Sequence, residues 1–403
     1  MIDLAIVGGG AAGIAAARDA KARGLSTMIL EASDRIGGRA YSVRWRDSVL
    51  DLGATWLHSA ERNPLVPLAE QLGVPLDRSQ TRWREQFNDL GISKSEQAES
   101  RAAIEEFTER LTINPPSTDK ASDALMPNAE WNGALEALSN FLNGTGLENV
   151  SAADFSAYWN TSGDQNWRIP TGIGSFVELV GGGLDIRLNC AIRKIEFVAD
   201  GVRLLAGGEH VDARRAIVAV PTTILASGGI DFPSAADPWL HAASQLPLGH
   251  VEKLFFQLPN PEAFPVGAHL LGNPRHADTG SYMLRPLAMP VIEGFFAGDW
   301  VKGLTGGEIA ARAREELGHL LGSHFARGLE PIAYSDWQRH AFICGSYSYA
   351  RPGQHGARAL LAEPVNERLA FAGEACSEND YATVHGAWAS GKAAVEQLFG
   401  ERR

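Results

Sequence analysis

Apolar positions occur in two rhythms along the chain. The opening run Ile2 to Val7 is almost unbroken and stops at three glycines, which predicts a short buried strand. Ala11 to Arg23 follows as an alanine-rich helix ending at Gly24, and Ser26 to Leu30 reads as a second strand. Further on, Asn63 and Pro64 open a helix through LVPLAEQL that stops at Gly73. Ser93 and Glu96 form a capping box ahead of an amphipathic helix to Leu111, and helical pattern continues through Leu142. A helix over Gly172 to Val180 leads into strands in GGGLDIRLNC, AIRKIEFV and residues 203 to 220. The rest alternates strands around Val291 to Phe296 and Tyr334 to Tyr349 with a helix at Glu308 to Leu321.

Chemistry enters at the first turn. Gly8, Gly10 and Gly13 give GxGxxG between a strand and a helix, and Glu31 closes the second strand 18 residues after Gly13. Glycines let the backbone approach a pyrophosphate, the helix N-terminus supplies free amides and a partial positive charge, and the carboxylate reaches the ribose hydroxyls. Strand, turn, helix and acid in this order predict a dinucleotide site, without separating FAD from NAD. Arg35, Gly37, Gly38 and Arg39 then add RxGGR, whose guanidinium forks suit a pyrophosphate.

With EASDRIGGR after the glycine motif, the sequence resembles the flavin-containing amine oxidase family. The resemblance continues in DLGATWLH (Asp51 to His58), ARRAIVAVPTTIL (Ala213 to Leu225), LGHVEKLFFQL (Leu248 to Leu258), FICGSYSYARPG (Phe342 to Gly353) and LAFAGEACSENDYATVHGAWASGKAAVEQL (Leu369 to Leu398). GATWLH and ATVHGA are similar to the polyamine oxidase and histone lysine demethylase branch. The implied fold is α/β, with a Rossmann-like FAD-binding domain (1–58, 171–235 and 352–403) interleaved with an α+β substrate-binding domain (59–170 and 236–351).

The implied cofactor is noncovalent FAD, since Ser346 stands where monoamine oxidases carry a flavin-linked cysteine. Its implied contacts are Gly8, Gly10, Ala12, Gly13, Glu31, Ala32, Arg35, Gly37, Gly38, Arg39, Gly53, Ala54, Thr55, Trp56, Ile192, Gly373, Glu374, Thr383 and Val384. Glu374 is expected to accept a hydrogen bond from the ribityl chain. The implied catalytic residues are Lys253, holding a water against flavin N5, Tyr347, lining the amine path, and His58, touching substrate. Leu254, Phe255 and Phe256 suggest a poorly solvated Lys253, and burial of that kind lowers an ammonium pKa. The second aromatic wall is open between Tyr381 and a tryptophan.

The implied reaction moves a hydride from the α-carbon of a neutral amine to flavin N5, giving an imine that water splits, with O2 restoring the flavin and yielding hydrogen peroxide. Polyamines and other primary or secondary amines are favoured, with Asp164, Glu61 or Glu130 as partners for a distal ammonium. An amino-acid oxidase would need Arg168 or Arg339 for the substrate carboxylate. A desaturase or porphyrinogen oxidase would share the RxGGR clamp, and a sensor would hold FAD without turnover.

Charge and cysteines narrow the partners. With 48 acidic against 36 basic residues the net charge is −12, which disfavours nucleic acid and suits cationic small molecules. Cys190, Cys344 and Cys376 are too far apart for a disulfide framework or a metal site, and fit a reducing compartment. A strand directly after Met1 leaves no signal segment, so cytoplasmic residence is expected, with no membrane partner. The expected partners are a small amine and O2, and the oligomeric state is left open.

Overall fold

A computed structural model of the chain describes residues 1–400. Two sheets organise it. The first has seven strands, in the order Ile186–Arg187, Thr27–Leu30, Ile2–Val7, Glu209–Val218, Gly201–Ala206, Lys194–Val198, with Leu369–Phe371 pairing to the end of Glu209–Val218. Ile2–Val7 runs parallel to both Thr27–Leu30 and Glu209–Val218. A parallel neighbour needs a crossover, and the helix Ala11–Ala22 supplies it. The C-terminal helix Val384–Phe399 packs in the same core, where Ile14, Ala17, Trp388 and Val395 are buried together.

The second sheet is antiparallel, in the order Ala268–Leu271, Gly280–Leu284, Val291–Ala297, Val251–Gln257, Pro331–Tyr334. Its two faces divide by residue parity. Leu254, Phe256 and Phe296 bury against Ile309 and Leu317 of the helix Gly306–Leu321. The opposite face carries Lys253, Phe255, Glu293 and Phe295, with Lys253 opposite Phe295 and Phe255 opposite Glu293. A third core of helices covers the remaining side: Lys94–Ile113, Asn132–Asn143 and Ala152–Thr161 bury Phe107, Leu111, Leu135 and Phe155.

The capping box at Ser93 and Glu96 forms as expected and starts the helix at Lys94. The expected strand over Tyr334 to Tyr349 ends instead at Tyr334. Trp337–Arg339 turns as a 3-10 helix, and Cys344 takes a left-handed φ of 59°. Backbone amides beyond it go to separate partners: Gly345 N to Trp337 O, Ser346 N to Gly249 O and Tyr349 N to Pro247 O. Pairing with the 247–249 segment is thus limited to one isolated antiparallel bridge, Leu248 to Ser348, which leaves Tyr347 outside any strand. The helix Ala152–Thr161, capped by Ser151 accepting from Asp154 N, lies inside a block read only as helical.

Among the described residues no helix is long and apolar enough to cross a membrane. The three cysteines are free thiols.

Candidate active site

A cavity of about 1280 Å³ is walled by the glycine turn, the RxGGR segment, the Lys253 face of the second sheet and the helical layer. Its volume exceeds the roughly 300–1000 Å³ of an ordinary small-molecule pocket, leaving room for a dinucleotide and a second molecule. Every expected cofactor contact lines it except Gly13, and so do Lys253, Tyr347 and His58.

The glycines explain that exception. A side chain on Gly13 would meet Gly8 O at 2.0 Å, so Gly13 serves the packing of helix on strand. A side chain on Gly10 would meet nothing within 4 Å, and Gly10 is the N-cap of Ala11–Ala22 with no side chain satisfying the first-turn amides. An open backbone surface at a helix N-terminus is the cradle that an anionic diphosphate fits.

Around the cradle the side chains hold one another. Glu31 accepts from Gly9 N at 2.6 Å and from Ser33 N and Oγ at 2.8 and 2.6 Å. Arg35 donates to Ile36 O and Gly38 O and stacks 3.9 Å over the Tyr41 ring. Arg39 donates through Nη1 to Ser346 O at 2.6 Å and to Glu374 at 2.9 Å, while its Nε and Nη2 have no partner among the described residues. Glu374 carries four hydrogen bonds, from Arg39, Ser348 N, Ser348 Oγ and Ala382 N. Burial raises its pKa, yet the charges of Arg39 and Arg358 bring the balance below the usual glutamate value. Thr383 caps the helix Val384–Phe399 by accepting from Gly386 N, and both Thr383 and Val384 face the cavity.

The opposite wall is ionic. Lys253 Nζ donates to Asp51 O at 3.1 Å, to Glu293 at 3.0 Å and to Thr55 Oγ1. The setting is therefore not the apolar one expected from Leu254, Phe255 and Phe256, because strand alternation turns Leu254 and Phe256 to the other core. Glu293 also accepts from Arg168 Nη2 at 2.7 Å. Burial pushes the Glu293 carboxyl up, but Lys253 and Arg168 outweigh it and hold the pKa at about 2. Burial raises the carboxyl pKa of Asp51, whose side chain accepts from Ser42.

Arg168 reaches this wall because Trp167–Arg168 pairs with Trp56–Leu57, setting its guanidinium 4.8 Å over the Trp56 ring. The residue just before Trp167 supplies the partner of His58, whose Nδ1 donates to Asn166 Oδ1 at 2.7 Å. A carbonyl oxygen only accepts, so Nδ1 carries the proton and Nε2 keeps a lone pair. Burial lowers the His58 pKa to about 4 and keeps the ring neutral.

Tyr347 donates to Phe141 O at 2.5 Å, and burial pushes its phenol well above 10. Trp56, Trp83 and Trp159 also line the cavity, with Trp83 edge-on to Trp56 at 4.7 Å between centroids. Tyr381 does not: it is buried under Arg358 and bonded to Asn143 and Asp154. Of the acids considered for a distal ammonium, only Asp164 borders the cavity, joined by the exposed Glu85 and Glu105. Glu130 instead pairs with Arg275. Neither Arg168 nor Arg339 lines the cavity, the first held by Glu293 and the second bonded to Asp336 and to Gly303 and Leu304 carbonyls. The carboxylate clamp of an amino-acid oxidase is thus not formed by either.

Sequence reasoning passed over Glu293, Asn166 and Trp83. For Glu293 a signal was present: it is the lone charged residue in VIEGFFA, and an acid within an apolar strand calls for a buried partner. Asn166 and Trp83 sit in loops with no such mark.

Comparison with known proteins agrees with this geometry. The model of the flavin containing amine oxidoreductase family matches residues 11–91 and 80–399. Polyamine oxidase 2 of Arabidopsis thaliana is 30% identical, over 97% of this chain and 86% of that protein. Lysine-specific histone demethylase 1B of Mus musculus is 26% identical over 96% of this chain, which spans about half (51%) of the demethylase. The fold is shared with solved structures of putrescine oxidase bound to putrescine (TM-score 0.79, 19% identity, 99% of each chain) and of cyclohexylamine oxidase from Brevibacterium oxydans IH-35A (TM-score 0.80, 20% identity, 98% of each chain).

The fold and cavity are those of a two-domain flavin amine oxidase. The chain belongs to the flavin-containing amine oxidoreductase family, near its polyamine oxidase branch, and is a flavin-dependent oxidoreductase. Its cofactor is a flavin, and the open cradle at Gly10 suits the diphosphate of FAD.

Proposed function

We propose that this chain oxidises the C–N bond of a small primary, secondary or polyamine. The observation that carries the reading is that one cavity joins the open diphosphate cradle to an aromatic chamber with a buried ionic wall. Bound FAD supplies the chemistry by taking a hydride from the amine α-carbon and passing the electrons to O2, which leaves as hydrogen peroxide while water splits the imine.

In this reading the segments 1–58, 171–235 and 352–400 form the flavin half, and 59–170 and 236–351 the amine half; residues 401–403 of the expected flavin domain lie outside the described residues. Gly10 with the following amides would hold the diphosphate, Glu31 the ribose, and the uncommitted Nε and Nη2 of Arg39 a phosphate oxygen. The N-terminus of Val384–Phe399 would set the positive end of a helix dipole against negative charge. Glu374, with four donors around it, holds Arg39 and the turn at Ala382 in place.

On the amine side Tyr347, Trp56 and Trp83 wall the chamber and exclude water. Neutral His58 offers Nε2 as an acceptor for the amine N–H. Lys253 has three protons and three acceptors within the chain, Thr55 among them, so it acts as a fixed positive charge at the wall. That charge disfavours an ammonium and favours the neutral amine. With an amine pKa of about 10, by analogy with lysine, turnover rises from neutral to alkaline pH. A long polyamine would place its distal ammonium near Glu85, Glu105 or Asp164.

The test is hydrogen peroxide release under air from a panel of polyamines, monoamines, N-methyl amines and amino acids. Release with an amine class supports the reading and names the substrate type. Release with amino acids alone, or with none of the panel, overturns it.

A further inference from the structure

The Lys253 wall carries more charge than the chamber's shape requires. Glu293 lies on a strand that is otherwise apolar, with its side chain 8% exposed, yet it is ionised. Its two oxygens are divided: Oε1 faces Lys253 Nζ at 3.0 Å and Oε2 faces Arg168 Nη2 at 2.7 Å, with Thr55 Oγ1 3.5 Å from Oε1. Charges so buried cost several kcal/mol each unless paired, so the carboxylate is what allows two cations behind one wall. The other groups facing the cluster are Asp51, whose carbonyl accepts from Lys253, neutral His58, and Met283, whose sulfur touches Arg168 Nη1 at 3.3 Å. Lys253, Glu293 and Arg168 together sum to +1, and Asp51 and His58 are common to every variant below.

We propose that Glu293 is the positioning residue of this wall: it fixes the Lys253 ammonium by bridging it to Arg168 and sets the charge of the triplet at +1. The inference rests on the amine-oxidising reading and adds what tunes it. At +1 the wall selects the neutral amine and favours electrons arriving in the cavity. Raising the charge strengthens both effects and lowering it weakens both, because charges in a dry site are poorly screened.

The experiment uses holoenzyme carrying Glu293→Gln (triplet +2), Lys253→Met (0) and the double variant (+1). Two quantities are read: the two-electron midpoint potential of the bound flavin, and the pH profile of anaerobic flavin reduction at saturating amine. In Glu293→Gln the potential moves positive and the acid limb of the profile moves down by about one pH unit, the low end for a unit charge at close range. Lys253→Met moves both the other way, and the double variant returns both toward wild type. Glu293→Asp keeps the charge but not the reach, so its potential stays at the wild-type value while reduction slows. If Glu293→Gln does not fold, Arg168→Gln (0) replaces it and shifts the potential as Lys253→Met does.

Unmoved potentials and pH limbs, with only the melting temperature lowered, overturn the proposal and leave Glu293 a structural ion-pair partner. If no amine reduces the wild-type flavin, the amine-oxidising reading fails, while the potentials still decide the charge of the wall.

Discussion

The diphosphate cradle and the Lys253 wall border one cavity and are built in opposite ways. The cradle is made of backbone from one stretch of about thirty residues, with Gly10 left bare and the first-turn amides unclaimed. The wall is made mostly of side chains, from residues 51 to 58, 168, 253 and 293, and its charged centre is paired internally: Lys253 and Arg168 both donate to Glu293, and Lys253 also to the Asp51 carbonyl. A site that must accept an anion keeps donors free. A wall that must hold charge without releasing it spends them, since an unpaired buried ion is costly.

This difference gives the largest expected effect. Gly10→Val fills open space, so the variant should fold with a near-native melting temperature and lose flavin binding, read as the absorbance ratio of flavin to protein. Gly13→Val drives a side chain into Gly8 O and should destabilise the fold itself by about 3 kcal/mol, the upper range for overpacking. Normal flavin content in Gly10→Val would break the distinction between cradle and packing glycines.

Next comes the wall. Lys253→Met should retain yellow flavin and slow flavin reduction or reoxidation by about two orders of magnitude, measured by stopped flow. Flavin loss comparable to that of Gly10→Val would mean that the two regions do not divide binding from chemistry.

The smallest effect is in stability against pH. His58 and His269 are both held neutral by burial, with pKa values of about 4 against 6.5 when unfolded. The unfolded chain takes up protons first, so their contribution is complete above pH 6.5 and is lost as pH falls toward 4. Each should cost on the order of 2 kcal/mol across that window, seen as a falling melting temperature. Glu293, depressed to about 2, contributes above pH 4.5 and loses its share only as pH falls toward 2. His58→Gln should flatten the upper decline. An unchanged slope would remove His58 from the buried neutral set.

The same contrast explains what could be read from the residues. Ile2–Val7, the glycine turn, the helix Ala11–Ala22 and Glu31 are local in sequence, and each was visible because strand, turn and helix rules act over a few residues. Lys253 stood out through the family resemblance, but its partners did not. Glu293 is 40 residues away and Arg168 arrives through a two-residue strand paired with Trp56–Leu57, and no short-range pattern encodes such pairings. The expected strand through Tyr349 failed for a related reason. SYSY alternates like a strand, while the backbone there is claimed by Gly249, Pro247 and Trp337. Tyr381 was a candidate chamber wall through the family resemblance near Thr383, whereas Arg358 and Asp154 hold it in the core.

The most direct test of the central claim is anaerobic bleaching of the visible flavin band on mixing the purified protein with a neutral-to-alkaline amine series, because it removes O2 from the question. The account predicts fast bleaching by at least one class of primary, secondary or polyamine, with a rate that climbs with pH. A flavin that stays oxidised with every amine, or bleaches at a rate independent of pH, would contradict it.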